Sequence, residues 1–447
     1  MIARDEEPFL PACLESVAGV VDEIVLVDTG STDATIPIAR RFGARVELLP
    51  WADDFSAPRN LAVDRARGDW ILQLDADERL APGAGRGLRA VMARKDVDLG
   101  MLLLHEASRV DAPLSDVVSG AARVGEPMRL PRLFRRLPGL RYRGLVHETV
   151  DEWLAERGGV ATDVAADIVH LGGIPEVRAA RGKDERNLRL LELRCRMEPG
   201  SIAPLAFLAA HLYQAGRIEE AAEAVERGWA IREAQPRTRS IHLLAVLRAQ
   251  VASASGLPEV VLETAAEAER REGPTSDLRY LAGCALELQS LRVNDEEARR
   301  KLAAAVEAYR VALLPRPGES AFRVVPGSSC WAARVRLGTA LLRLGEPGQA
   351  AEQFRAAAAK APDPLESLLG EAESMLDGGD APGAIRALMP LLGPRPDGWI
   401  LAAAASLAAG GAGVARDLLA GAEKRLGEGL VAPHRVARAR ALAGALA

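Results

Sequence analysis

The stretch Trp70-Ile71-Leu72-Gln73-Leu74-Asp75-Ala76-Asp77-Glu78 constrains this chain more than any other. Mainly apolar residues run straight into three carboxylates, the pattern of a buried strand that ends at a functional edge. Parallel strands are continuously apolar, and ligands sit beyond their carboxyl ends. On an extended chain, side chains two residues apart project to the same side. Asp75 and Asp77 can therefore flank one hard divalent cation, Mg²⁺ or Mn²⁺, which in turn holds a diphosphate. A solvated acidic turn has the same composition, so the neighbouring segments must decide between the two.

Upstream, Met1-Ile2-Ala3-Arg4 reads as the end of a strand, and Phe9, Leu10, Cys13, Leu14 and Val17 follow at helical spacing. Ile24 to Val27 is a β-rich run that stops at Asp28-Thr29-Gly30-Ser31-Thr32-Asp33, where Ser31, Thr32 or Asp33 can cap a helix from Ala34 to Phe42. Ala44 to Leu49 is a third strand, a helix passes through Pro58 to Ala66, and Gly68-Asp69 breaks it before the acidic run. The β-α-β-α-β-α-β rhythm predicts a mostly parallel sheet with right-handed crossovers. One rim then carries Arg4-Asp5-Glu6, Asp28 and Asp75/Asp77. Neither G-x-G-x-x-G nor G-x-x-x-x-G-K-S/T occurs after a strand, so a nucleotide here needs its phosphates neutralised by a metal.

Read in order, Met1 to Glu7, Val27 to Asp33, Trp51 to Asn60 and Leu74 to Glu78 resemble the family 2 glycosyltransferases, in the bacterial branch with tetratricopeptide repeats attached. In that family the first strand begins several residues earlier and Asn usually stands where Asp5 does. The resemblance implies a GT-A fold, an α/β domain that binds a nucleoside diphosphate sugar, UDP- or GDP-linked, with Mn²⁺ or Mg²⁺. Carried over, Arg4, Asp5, Glu6 and Asp28 line the nucleoside pocket, and Arg59 and Asn60 lie near the nucleotide. Asp75 and Asp77 hold the metal and the ribose or diphosphate. Taken alone, Asp28 reads as a capping turn and Arg59 as a surface salt bridge.

Between residues 80 and 180 the pattern loosens. Leu88 to Met92 is read as a helix, Leu99 to Leu104 as a strand, and Glu106 to Gly125 as a loop over the acceptor. The arginine-rich Arg129 to Arg136 is either a solvated strand face or a receiver for the departing diphosphate, since guanidinium forks fit phosphate oxygens. His147-Glu148 resembles the His-Glu that follows the arginine-rich strand in this branch. Transfer with inversion needs a base on the acceptor side, and Glu148 is the first candidate, with Asp151 in reserve. His170 is a candidate third metal ligand that favours Mn²⁺, or a hydrogen-bonded core histidine. His105-Glu106 is read as structural.

From Lys183 onward strands stop. Gly216, Gly345, Gly379 and Gly410 each separate two apolar helical patterns, and Gly379 follows Gly345 at 34 residues, the period of a tetratricopeptide-like all-α solenoid. The abundant Ala and only 4% aromatic residues suit close-packed helices. The middle, about 237 to 325, is irregular, with an apparent insertion at Arg292 to Glu297 and a Pro/Gly loop at Leu314 to Gly327. We therefore expect a glycosyltransferase domain over 1–180, a linker helix over 181–200 and helical repeats over 201–447.

A net charge of -5 gives no whole-chain reason to expect nucleic acid. Four scattered cysteines suggest no zinc cluster or disulfide scaffold, and no apolar run has signal or transmembrane length, so a cytoplasmic protein is expected. The implied partners are the nucleotide sugar and a peptide, protein or saccharide acceptor, the repeats presenting the acceptor, a partner or a second copy in a homodimer. Two other readings stay open: a non-catalytic repeat adaptor with a degenerate nucleotide-binding domain, and a nucleotidyltransferase, which usually needs a glycine-rich basic loop that Arg4 to Pro8 does not supply.

Overall fold

Three short strands, β1 (Ile2–Ala3), β2 (Val25–Asp28) and β3 (Arg45–Leu48), pair in parallel in that order. The helices Leu10–Ser16 and Thr35–Arg41 bury Leu10, Leu14 and Ile38 against Leu26. Because Ala3 pairs with Asp28, the segments that follow β1 and β2 leave the sheet side by side. The computed structural model describes every residue but 181, 235–238, 315–323, 394, 426–431 and 447. Two units emerge, one built on Met1–Ser255 and the other on Gly256–Pro315 and Val325–Ala447.

At the fourth strand the parallel rhythm gives way. Strands β4 (Trp70–Leu72), β5 (Glu78–Leu80), β6 (Leu99–Glu106), β7 (Met128–Arg135) and β8 (Ala161–His170) form a second, mixed sheet in the order β4-β7-β6-β8-β5. Only β6 and β8 pair in parallel. A cavity of about 600 Å³ is lined in part by Met1, Val25, Leu72, Gln73 and Tyr142. Burial, with Arg59 adding to it, pushes the Met1 ammonium down to about 6. The ladder between β4 and β7 continues as Gln73 N–H donates to Arg132 O at 2.8 Å, which carries the chain into the acidic turn.

Register places the far end of that turn. Glu78 on β5 pairs with His170, and so does Glu106 on β6, so the last residue of β8 lies between two carboxylate positions. Among the described residues, no strand follows His170. The first unit goes on through the helices Lys183–Met197, Ile202–Gln214, Ile218–Ala230 and Arg239–Ala254.

In the second unit, Gly345, Gly379 and Gly410 have φ of +84°, +92° and +86° in the turns between paired helices, a conformation that costs any residue with a Cβ. The expected insertion at Arg292 to Glu297 is instead a helix start. Asn294 accepts from Glu297 N–H at 3.0 Å, and Asp295 and Glu296 lie in the first turn of Asp295–Ala312. Most of the Pro/Gly loop expected at 314–327 lies outside the described residues. Phe354 is the centre of one helix crossing, where a Cβ on Gly338 or Gly370 would lie 2.8 or 2.4 Å from its ring. Among the described residues, no helix is long and apolar enough to cross a membrane.

The helix Pro433–Leu446 is held by charge. Buried Arg435 meets Glu366 at 2.9 Å, Glu373 at 3.0 Å and Asp397 at 3.3 Å. Burial alone would raise the Glu373 carboxyl, but His434, Arg435 and Arg438 outweigh it and hold it at about 2.

Two outcomes follow for the second unit. Phe354→Ala should cost about 3–5 kcal/mol, read as lost hydrogen-exchange protection in Trp331–Leu344 and Leu365–Asp377. A carboxyl depressed on folding stabilises above its unfolded value of about 4.5 and loses that contribution as the pH falls toward about 2. Protection of the helix Pro433–Leu446, corrected for intrinsic exchange, should therefore weaken over that window in the wild type and much less in Glu373→Gln.

Candidate functional site

Asp75, Asp77 and Glu78 follow one another closely, and the fold supplies counter-charge to all three, with Arg132 shared between Asp75 and Glu78. Asp75 is gripped by Arg59, whose Nη1 donates to Oδ1 at 2.9 Å, and Arg132 Nη1 lies 3.6 Å from its second oxygen. Burial would raise the Asp75 carboxyl, but the two guanidinium groups win and hold it at about 2. Glu78 is buried, and that burial, with Asp75 nearby, pushes its carboxyl up to about 7 in spite of its ion pair with Arg132.

Asp77 faces the other way along the rim. Its Oδ1 lies 3.6 Å from His170 Nε2, and Lys183 Nζ lies 3.3 Å from Oδ2. His170 Nδ1 is 2.9 Å from Glu106 Oε2. Burial disfavours the charged imidazole, but Asp77 and Glu106 overcome that and push it up to about 10. Gly172 lets these side chains close against the backbone: a Cβ built there would lie 2.1 Å from Asp77 Oδ2, 2.6 Å from His170 Nε2 and 2.7 Å from Lys183 Nζ, so no side chain fits at residue 172. Among the described residues no group of three or more His, Cys, Asp or Glu side chains is disposed to hold a metal, and Asp77 and His170, expected as metal ligands, are engaged with each other and with Lys183 and Glu106. Asp75, expected beside Asp77, is engaged instead by Arg59 and Arg132.

Arg59 also reaches the acceptor side. Its Nε donates to Glu148 Oε1, so one largely buried guanidinium bridges Asp75 and Glu148 across 73 residues of sequence. This is no surface salt bridge. Asn60 spends its side chain on the backbone of Tyr142, donating to O at 2.9 Å and accepting from N at 2.8 Å. The loop bearing Glu148 is closed at its base by mutual backbone hydrogen bonds of Arg143 and Thr149. Asp151 begins the short helix Asp151–Glu156 just after it.

That loop is moulded by helices beyond the last strand. Buried Arg194 donates to Val146 O at 2.9 Å and His147 O at 3.3 Å. Gly144 has φ +108°, and a Cβ on it would lie 2.3 Å from the Arg194 guanidinium carbon. His147, at φ +51°, stacks on Phe207 with ring centroids 4.4 Å apart and lies 3.1 Å from His211 across Nε2 atoms. Burial, then His211 and Arg194, push the His147 imidazole down to about 3.

At the neighbouring strand ends, Arg4 lies beside Asp5 at 3.7 Å, and Asp5 accepts from Thr32 N–H at 2.7 Å. Glu6 N–H donates to Thr35 Oγ1 at 2.8 Å. Asp28 is buried and accepts from Gly30 and Ser31 N–H at 3.0 and 2.9 Å, so it organises its own turn and clasps the segment after β1 through Ser31.

Four participants escaped the sequence reading. Arg132 lay in the arginine-rich stretch, but its carboxylate partners turn it inward, while Arg129 meets Asp163 and Arg135 and Arg136 bind the Val97 and Gly68 carbonyls. Period-two alternation in β6 offered a signal for Glu106: His105 packs buried against Asp167 on one face, and Glu106 meets His170 on the other. Lys183 and Arg194 gave none, being ordinary helix charges in sequence.

Residues 1–137 match the model for glycosyl transferase family 2. A TPR repeat-containing protein of Synechococcus elongatus is 43% identical over 154 residues, 34% of this chain and 35% of its own. The SPbeta prophage-derived glycosyltransferase SunS of Bacillus subtilis is 28% identical over 231 residues, 51% of each chain. An uncharacterized glycosyltransferase of Rickettsia typhi is 29% identical over 127 residues, 26% of this chain and 43% of its own. The chain thus spans about a third to a half of the length of the curated relatives it matches. Its first 137 residues therefore carry a glycosyl transferase family 2 domain, and helical repeats of the tetratricopeptide type follow.

Proposed function

We propose that this chain transfers a sugar from a nucleoside diphosphate sugar, UDP- or GDP-linked, to an acceptor hydroxyl or thiol, with inversion. The observation that carries the reading is the Arg59 bridge, which brings Glu148 to the acidic turn at Asp75 in a family 2 domain. A divalent cation, Mn²⁺ or Mg²⁺, would have to be held by Asp77 after release from His170 and Lys183, and would supply charge to the diphosphate leaving group.

The chain's own groups supply the rest. The Glu148 carboxylate takes the acceptor proton as the oxygen or sulfur bonds to the anomeric carbon, while the bond to the diphosphate oxygen breaks and its electron pair leaves with the diphosphate. Arg59 fixes Glu148 relative to Asp75, so the base side and the donor side share one rigid link. Arg4, Asp5, Glu6 and Asp28, clasped at adjacent strand ends, form the wall for the nucleoside, with Asn60 holding the Tyr142 segment behind Arg59. The helical repeats present a peptide, protein or saccharide acceptor, or pair two copies of the chain. Four free cysteines and a nucleotide-sugar donor suit a cytoplasmic setting.

A thermal-shift panel of UDP- and GDP-sugars with Mn²⁺ should single out the donor as the one that raises the midpoint most. With that donor, Glu148→Gln should lower kcat by about 10²–10⁴-fold and leave UDP affinity nearly unchanged. Full turnover in that variant would remove Glu148 from the mechanism.

A further inference from the structure

The loop 144–148 holds a backbone conformation that its own residues do not favour. Gly144 has φ +108° and His147 has φ +51°, and a residue with a Cβ stays left-handed only where its surroundings over-determine it. The contacts that do so come from far along the chain. Phe55 N–H donates to Leu145 O at 2.9 Å, and Arg194 donates to the Val146 and His147 carbonyls at 2.9 and 3.3 Å. The His147 ring lies nearly parallel to Phe207, at 7°, and one imidazole donates to the other across the 3.1 Å between His147 and His211. Arg194 belongs to the helix Lys183–Met197 and Phe207 and His211 to Ile202–Gln214, both past residue 137, where the family 2 match ends. Lys183–Met197 also steadies the segment leading to Arg59: Arg189 pairs with Asp53 at 2.7 Å, and Arg186 lies 5.1 Å over the Phe55 ring. Glu148 directly follows His147, so the peptide that aims its carboxylate at Arg59 is the one whose carbonyl Arg194 holds.

We propose that His211 and Arg194 are positioning residues for sugar transfer: acting through the loop 144–148, they hold Glu148 against Arg59 and so govern turnover and not donor binding. This rests on the reading of Glu148 as the base. The first helices beyond the strands then belong to the catalytic machinery, and the base side of the site is incomplete without them.

The test uses the full chain and reads release of nucleoside diphosphate from the donor that the thermal-shift panel singles out. His211→Leu removes the partner of the His147 imidazole and should lower kcat by about 10²-fold, while the calorimetric affinity for the free nucleoside diphosphate stays within about threefold of wild type. His211→Gln, whose amide can still meet His147, should recover kcat to within about fivefold of wild type. Arg194→Lys keeps the charge and loses the fork, and should lower kcat by at least about tenfold. Added to Glu148→Gln, His211→Leu should lower kcat by no more than about twofold further, because a residue that acts through Glu148 has nothing left to position. Fully additive losses would mean a role in folding alone and overturn the proposal. Wild-type kcat in either His211→Leu or Arg194→Lys overturns the role of that residue. Full turnover in Glu148→Gln, or no release by the wild type from any donor of the panel, refutes the underlying transfer reading and this inference with it.

Discussion

The structure depends on how three neighbouring carboxylates are neutralised at the end of a buried strand. Asp75, Asp77 and Glu78 repel one another, and burial makes the repulsion more expensive because little solvent screens it. The fold separates them by partner: Arg59 and Arg132 for Asp75, Arg132 for Glu78, His170 and Lys183 for Asp77. Burial, which Arg132 does not fully offset, pushes the Glu78 carboxyl up to about 7, while Arg59 and Arg132 hold that of Asp75 at about 2. Two acids three residues apart thus acquire different protonation behaviour from burial and counter-charge alone.

The same requirement explains why the first unit extends through helices. The turn draws cations from Arg59 on the helix Ser56–Arg65, Arg132 on β7 and Lys183 on the first helix beyond the strands. That helix and the next also shape the loop carrying Glu148, through Arg194 beneath Gly144 and through Phe207 and His211 against His147. Among the described residues strand content ends at His170, yet the unit continues to Ser255, since removing those helices would strip counter-charge from Asp77 and support from residues 144–148.

Much of the architecture was legible because it rests on local patterns. Strands β2 and β3, the helices between them and the turn glycines at 216, 345, 379 and 410 follow from short-range periodicity and from backbone conformations only glycine adopts cheaply. The second sheet was less legible. β4 looks like a parallel core strand, but its ladder goes antiparallel to β7, more than 50 residues on, a pairing that no local signal encodes. The irregular middle of the repeats misled for a similar reason. Asp295-Glu296-Glu297 resembles an insertion by charge, although behind Asn294 it is an ordinary acidic helix start.

The candidate site divides along the same line. An Asp-x-Asp pair ending an apolar run, a His at a strand end and a Glu in a glycine-bounded loop are properties of residue type and spacing, and the sequence by itself determined that these groups lie at strand or loop ends. Only the tertiary structure decided which of them face one another. It drew Asp75 away to Arg59 and Arg132, turned Asp77 toward His170, brought Glu106 behind the imidazole and set Lys183 against Asp77 and the Gly172 carbonyl. The reason is range: capping, alternation and turn geometry act within a few residues, whereas counter-charges for a buried acidic turn are chosen by packing between segments as far apart as Asp77 and Lys183.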